Sequence, residues 1–171
     1  VKIAELKAGV TGSTKSTATD LGETFKILNG EVLFSWSGNP DTSIDAFVWP
    51  LGPAWLNQHI FAVRENGCMN KASLFTMLRF YKPEMAEIAR NKQTTGLGHI
   101  TRKDLEFFQI TKGTPEILSA FEDLVTPLFD RYSATLYENQ TLATLRDTLL
   151  PRLMSGELRV GDARDQINEA L

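Results

Sequence analysis

Two polar, glycine-containing segments of the chain carry side chains suited to binding a polyanion. They are residues 35–39 (Ser-Trp-Ser-Gly-Asn) and 92–99 (Lys-Gln-Thr-Thr-Gly-Leu-Gly-His), with Arg102 and Lys103 shortly after the second. Small hydroxyl and amide groups and backbone N–H groups can approach phosphates and base edges closely, and lysine and arginine supply charge. DNA contact is one interpretation of each segment. The other is an ordinary surface loop, with Trp36 packed sideways in the first and a plain connector in the second.

The sequence lacks the patterns of a catalytic or metal-binding protein. Its two histidines, His59 and His99, have no cysteine, aspartate or glutamate at a spacing that would complete a metal site. Residues 92–99 lack the Gly-Lys-Ser/Thr ending of a phosphate-binding loop, and Asn39-Pro40 is not followed by the Pro-aromatic pair of an amino-methyltransferase. We therefore expect a chain that is not an enzyme and needs neither a metal nor a cofactor.

Charge is distributed unevenly along the chain. Residues 1–115 hold 13 lysines and arginines against 11 acids, a net +2, whereas residues 116–171 hold 5 arginines against 10 acids, a net −5. A polyanion should therefore meet the first part. No stretch approaches the ~18 consecutive apolar residues of a membrane span. The single cysteine, Cys68, suits a reducing compartment, so we expect a cytoplasmic protein.

Short strands and helices alternate before residue 111, which predicts an α+β fold. Strands are expected at 30–35, 46–49, 60–63 and 107–110. Helices are expected at 71–81 and 83–90, with shorter helical turns at 2–7 and 102–106. The two candidate DNA segments then lie where strands and helices meet.

A single long helix is predicted to follow. Thr114 is a good N-cap and Pro115 a good first residue, and no glycine occurs from there until Gly156. A helix of ~40 residues would span ~60 Å, too long for its own domain to cover. Its apolar residues recur at three- and four-residue spacing and are expected to meet a partner helix. These predicted interface residues are Leu118, Phe121, Val125, Leu128, Tyr132, Leu142, Leu149 and Leu153.

Four stretches, in order, resemble the DNA-specificity subunit of type I restriction-modification systems. Residues 30–38 resemble the motif "GDVLFSxSG", 55–61 resemble "LNQHIF", and 94–105 resemble "TGxxHIxxxDL". Residues 138–158 resemble the end of the family's helical spacer. Each motif is short, but their order over roughly residues 17–160 makes the signal specific.

The resemblance implies a small mixed α/β target recognition domain followed by a long coiled-coil-type helix. The boundaries expected are 1–113 for the recognition domain, 114–158 for the spacer and dimerisation helix, and 159–171 for a polar C-terminal tail. A family member has two such domains and two helical regions, whereas this chain carries one of each. It is therefore expected to be a fragment or a natural half, incomplete at its N-terminus.

The implied function is to read one half of a bipartite site on double-stranded DNA. The helix would dock methyltransferase subunits, and through them the restriction subunit, and would pair with a second copy or another specificity half. The residues expected to bind DNA are Ser35, Trp36, Ser37, Gly38, Asn39, Lys92, Thr94, Thr95, Gly96, His99, Arg102 and Lys103. The alternative is a coiled-coil protein–protein adaptor that does not bind DNA.

Overall fold

The computed structural model of the chain describes residues 1–93 and 96–170. It forms two compact units, Val1–Ser133 and Ala134–Leu171, and one long helix contributes residues to both. The expected α+β class is confirmed, because small antiparallel sheets and helices share the first unit. Within the described residues, no helix is both long enough and apolar enough to cross a membrane.

Most predicted strands and helices occur within a few residues of their expected positions. The strands are β1 Lys26–Ile27, β2 Val32–Ser35, β3 Ser37–Gly38, β4 Asp45–Val48, β5 Ala54–Trp55, β6 Ile60–Val63 and β7 Gly98–His99. The helices are α1 Ile3–Ala8, α2 Pro40–Ser43, α3 Lys71–Phe80, α4 Lys82–Asn91, α5 Arg102–Phe107, α6 Pro115–Met154 and α7 Val160–Ala170.

A three-stranded antiparallel sheet, ordered β4-β2-β6, forms the centre of the first unit. All four residues of β2 are buried, because the sheet is covered on both faces. Leu33 belongs to one apolar cluster, with Trp49 and Ile60. Phe34 belongs to a second cluster, with helical residues such as Met85 and Ala89. Successive strand residues point to opposite faces, so the run Val-Leu-Phe supplies both clusters at once.

The predicted last strand, residues 107–110, is wrong. Thr101 and Asp104 form a capping box, in which each side chain accepts a hydrogen bond from the other's backbone N–H, and this starts a helix that runs to Phe107. Phe107 is exposed, whereas Phe108 packs edge-to-face on Tyr81 at a centroid distance of 5.4 Å. The chain is anchored here by one aromatic side chain and not by strand pairing.

Helix α6 begins where the sequence predicts, and in the first unit it packs on α3. The Ile117 N–H lies 3.5 Å from the Thr114 hydroxyl, as an N-cap requires. Phe75 of α3 contacts both Phe129 and Tyr132, at 5.4 Å between ring centroids in each case. Val125 and Phe129 are buried. The first unit therefore already covers part of the apolar face of α6 that was predicted to meet a partner helix.

The second unit contains the end of α6 and a helix that the sequence analysis did not predict. The chain turns at Gly156, whose φ is +75°. Helix α7 then packs Ala163 against Leu149 and Leu158, and all three are buried. Residues 159–171, expected to be a polar tail, thus include a helix that buries one face.

Candidate nucleic-acid interface

Strand pairing brings together the two segments that were predicted to contact DNA. Strands β3 and β7 form a separate two-stranded antiparallel ribbon, in which Ser37 pairs with His99 and Gly38 with Gly98. Residue types and the family resemblance had indicated each segment without relating one to the other, so their pairing is an additional observation. We call this pair of strands the recognition ribbon.

The ribbon is tied to the central sheet through Trp36, which lies between β2 and β3. The Trp36 N–H donates to the His59 carbonyl at 3.3 Å, beside β6. The Trp36 carbonyl accepts from the Ile100 N–H at 2.8 Å, just after β7. Ile100 is fully buried. Trp36 therefore makes backbone hydrogen bonds to the chain beside β6 and to the chain just after β7. These bonds fix where the ribbon leaves the core.

Two glycines let the ribbon lie directly on helices α2 and α4. A Cβ at Gly98 would stand 2.3 Å from the Ala89 carbonyl oxygen, and one at Gly38 would stand 2.8 Å from the Ser43 Cβ. Gly38 also has a φ of +120°, which side chains rarely adopt. Neither position tolerates a side chain without moving the ribbon away from its support.

The side chains predicted on the first strand divide into exposed and buried groups. Ser37 is half-buried and Asn39 is exposed. The Asn39 side-chain oxygen caps α2 by accepting from the N–H groups of Asp41 (3.0 Å) and Thr42 (3.1 Å). Its amide nitrogen is the group that remains to donate to another molecule.

Ser35 is buried and Trp36 is half-buried against the second apolar cluster, so the packing of these two residues does not favour their predicted role as DNA contacts. Ser35 is 0% exposed, and its hydroxyl makes no hydrogen bond within the described residues. The Trp36 ring stacks on Phe61 at 5.6 Å and tilts against His59 at 5.3 Å. The sequence motif did not distinguish the inward residues from the outward ones. Strand alternation predicts that Ser35 and Phe34 point to opposite faces of the sheet. It does not show that both faces are covered.

On the second segment, the cations differ in availability. The Lys92 ammonium lies 2.5 Å from both carboxylate oxygens of Asp104. Arg102 is exposed and pairs loosely with Glu106 at 3.3 Å. Lys103 is exposed and has no ion pair among the described residues. Lys103 and Arg102 are therefore the cations best placed to meet a phosphate.

The remaining predicted residues of this segment that the structure describes are Gly96 and His99. Gly96 is exposed and has a φ of +82°, so it occupies a backbone conformation that suits glycine. Thr94 and Thr95 lie outside the described residues. His99 is half-buried on β7, opposite Ser37.

A further ion pair supports the ribbon from below. Arg90 of α4 bonds Asp41 of α2 at 2.8 Å and also contacts Glu87. Its guanidinium holds together the two helices that the glycines of the ribbon touch.

Among residues 1–93 and 96–170, no cluster of three or more histidines, cysteines, aspartates or glutamates could hold a metal ion.

The fold and this surface together define an α+β domain that presents a polar two-stranded ribbon and is followed by a long helix. Comparison with known proteins gives two specificity subunits. The chain is 34% identical over 101 residues to the Type I restriction enzyme MjaIX specificity subunit of Methanocaldococcus jannaschii, covering 58% of this chain and 23% of that protein. It is 28% identical over 108 residues to the Type I restriction enzyme HindI specificity subunit of Haemophilus influenzae, covering 62% and 23% respectively.

The resemblance to type I specificity subunits that the motifs predicted is therefore confirmed. The matched part spans about a quarter of the length of these relatives. No protein-family model matches the chain. No solved structure matches it either.

Proposed function

We propose that the first unit recognises a DNA sequence through the recognition ribbon and the exposed start of α5. The pairing of Ser37 with His99 carries this proposal, because it joins two segments whose composition is suited to DNA contact. The major groove of B-DNA, ~12 Å wide, admits a two-stranded ribbon or a helix end. Similarity to proteins named as specificity subunits supports the same function, which is recognition without catalysis.

Within this surface, base reading and phosphate binding fall to different residues. Ser37, Asn39 and His99 are short or planar and lie on or beside the ribbon, so we assign them to base edges. Arg102 and Lys103 are longer, charged and exposed, so we assign them to phosphates. Thr94, Thr95 and Gly96 remain proposed DNA contacts on their sequence alone.

We further propose that this single domain reads one half of a bipartite site. A second recognition domain, in another copy of the chain or another specificity half, would read the other half. Helix α6 would set the distance between them and dock methyltransferase subunits, which in turn hold the restriction subunit. The support is that α6 retains exposed apolar residues after packing on its own units. They include Ile117, Leu124 and Leu128 in the first unit and Leu142 and Leu150 in the second.

Selection of duplexes from a random-sequence pool on the purified chain tests the DNA proposal. Sequencing should return one short motif. His99→Ala and Ser37→Ala should relax that motif by ~1–3 kcal/mol per lost base contact. Lys103→Ala should weaken all duplexes alike and lower the slope of log affinity against log salt by ~0.9. The matched control is Lys26→Ala, because Lys26 lies near Arg64 and Glu31, at the end of β2 opposite the ribbon.

The adaptor alternative makes the opposite prediction. A chain that associates through α6 but enriches no duplex and shows no salt-dependent retention on heparin would be an adaptor. The association itself is tested by Leu142→Asp with Leu150→Asp, since both side chains are exposed. Leu149 is unsuitable for this purpose because it is buried beneath α7.

A further inference from the structure

We infer that Lys92 and Asp104 form an internal brace that positions the recognition ribbon, so that Lys92 supports sequence reading without touching a phosphate. The inference rests on the proposed function and deepens it, because it assigns a positioning role to a residue whose sequence suggested direct contact. The sequence offered three cations near the ribbon, Lys92, Arg102 and Lys103, and gave no reason to separate them.

The two partners stand at opposite ends of the segment that contains β7. Lys92 directly follows the last residue of α4, and Asp104 lies in the first turn of α5. The bonds between them therefore fix the end of one helix relative to the start of the next. Gly98 and His99 lie between these two fixed points.

The Asp104 carboxylate is fully engaged by donors from the protein. Besides Lys92, its Oδ2 accepts from the Thr101 N–H at 2.7 Å and from the Thr101 hydroxyl at 2.6 Å. Burial favours the neutral acid, but the hydrogen bonds from Lys92 and Thr101 and the charge of Lys92 outweigh it and hold the pKa of Asp104 at about 2. The carboxylate is thus ionised throughout the neutral range, so Lys92 faces a charged partner there.

Exposure separates Lys92 from its neighbouring cation. The side chains of Lys92 and Asp104 are 38% and 19% exposed, whereas those of Arg102 and Glu106 are 88% and 59% exposed. Water screens the second pair strongly, so Arg102 can exchange its partner for a phosphate at little cost. Moving Lys92 to a phosphate would leave a half-buried carboxylate without its cation.

The brace is connected to the ribbon by a short, anchored path. Thr101 bonds Asp104 and directly follows Ile100, which is buried and donates to the Trp36 carbonyl at 2.8 Å. His99, the next residue back, pairs with Ser37. A change in the distance between α4 and α5 would therefore displace His99, which is only two residues from Thr101.

The test compares affinity for the duplex selected by the wild-type chain with affinity for a scrambled duplex, at several salt concentrations. Lys92→Met should lower the ratio of the two affinities roughly tenfold, the equivalent of one lost base contact, and leave the salt slope unchanged. Asp104→Asn should do the same. Lys92→Arg should restore the ratio, because it keeps the charge. The matched control, Lys103→Met, should lower the slope by ~0.9 and keep the ratio.

A lower salt slope in Lys92→Met, or an unchanged affinity ratio, overturns the inference.

Amine acetylation of the wild-type chain tests the inference without any variant that must fold. The Lys92 amine should react slowly with and without the selected duplex, whereas Lys103 should react fast alone and slowly on DNA. Rapid acetylation of Lys92 that the duplex suppresses also overturns the brace. If the wild-type chain enriches no duplex, the proposed function itself is wrong, and the brace then has no role in DNA recognition.

Discussion

The two strands of the recognition ribbon are held in position by different forces. Next to β3, Ser35 is buried in the core and the half-buried Trp36 stacks on Phe61. Next to β7, the close packing of Gly98 on α4 is joined by an electrostatic support, through Lys92, Asp104 and Thr101. The comparison teaches that two paired strands can share support by packing while only one of them also depends on charge. Changes to side-chain volume should damage the ribbon at either strand, whereas changes of pH or charge should act on the second.

The largest effect is expected on the packed strand. Trp36→Ala should lower the free energy of unfolding by about 3 kcal/mol, the low end for a large aromatic residue, because the ring is only partly buried. Urea unfolding gives the value. Trp36→Phe is the matched variant and should cost about 1 kcal/mol, since the indole N–H makes no hydrogen bond within the described residues. Equal losses from both variants would mean that the ring does not anchor the ribbon by packing.

A somewhat smaller loss is expected where the ribbon touches α4. Gly98→Ala should cost about 2 kcal/mol, because its new Cβ would stand 2.3 Å from the Ala89 carbonyl oxygen and must push the strand away. The same unfolding measurement on Gly52→Ala is the control, since a Cβ there meets nothing within 4 Å. If the two alanine variants have the same stability, the close approach of β7 to α4 is wrong.

These contacts mark where sequence reasoning reached its limit. Strand β2, helices α3 and α4 and the start of α6 were predictable, because apolar spacing and the Thr114-Pro115 cap are local signals. The two candidate DNA segments were also recognised, from residue types together with the family resemblance. Their pairing as β3 and β7 was not predicted, because it depends on a long-range register that two-residue strands do not encode locally.

Burial was the other quantity that the sequence could not supply. Ser35 belongs to the same polar motif as Ser37, yet only the packing on both faces of the sheet reveals that it is inside. Phe129 was omitted from the predicted interface residues, although it is buried, as Val125 is, and packs edge-to-face on Phe75 of α3. Ala163 and Ile167 gave too weak an apolar pattern to predict α7 without knowledge of Leu149 and Leu158 beside them.

The stability that the Lys92–Asp104 pair next to β7 contributes should depend on pH. The pKa of Asp104 is lowered from 3.8 to about 2, so its ionised form stabilises the folded state above pH ~4, and this contribution is lost as the pH falls towards 2. Asp104→Asn should cost about 1 kcal/mol at pH 7, because solvent screens a pair that is partly exposed. Urea unfolding at pH 7 and pH 2.5 should show a smaller difference between wild type and variant in acid. A difference that stays constant would contradict the ion pair.

The smallest effect is expected on the outer face of α6. Leu128 is 65% exposed, so Leu128→Ser should change the free energy of unfolding of the chain at micromolar concentration by no more than ~0.5 kcal/mol. Sedimentation should instead reveal weaker association if this face meets a partner helix. A stability loss well above 1 kcal/mol, without any change in association, would mean that Leu128 is covered by its own domain.

The central claim, that the recognition ribbon reads DNA, is tested most directly by an NMR titration of the chain with its selected duplex. The largest backbone amide shifts should occur at Ser37, Gly38, His99, Arg102 and Lys103. Amides of β1 and β5, in the separate two-stranded sheet at the other end of β2, should stay unchanged. Shifts that concentrate on β1, β5 or the length of α6, with the ribbon unaffected, would contradict the account.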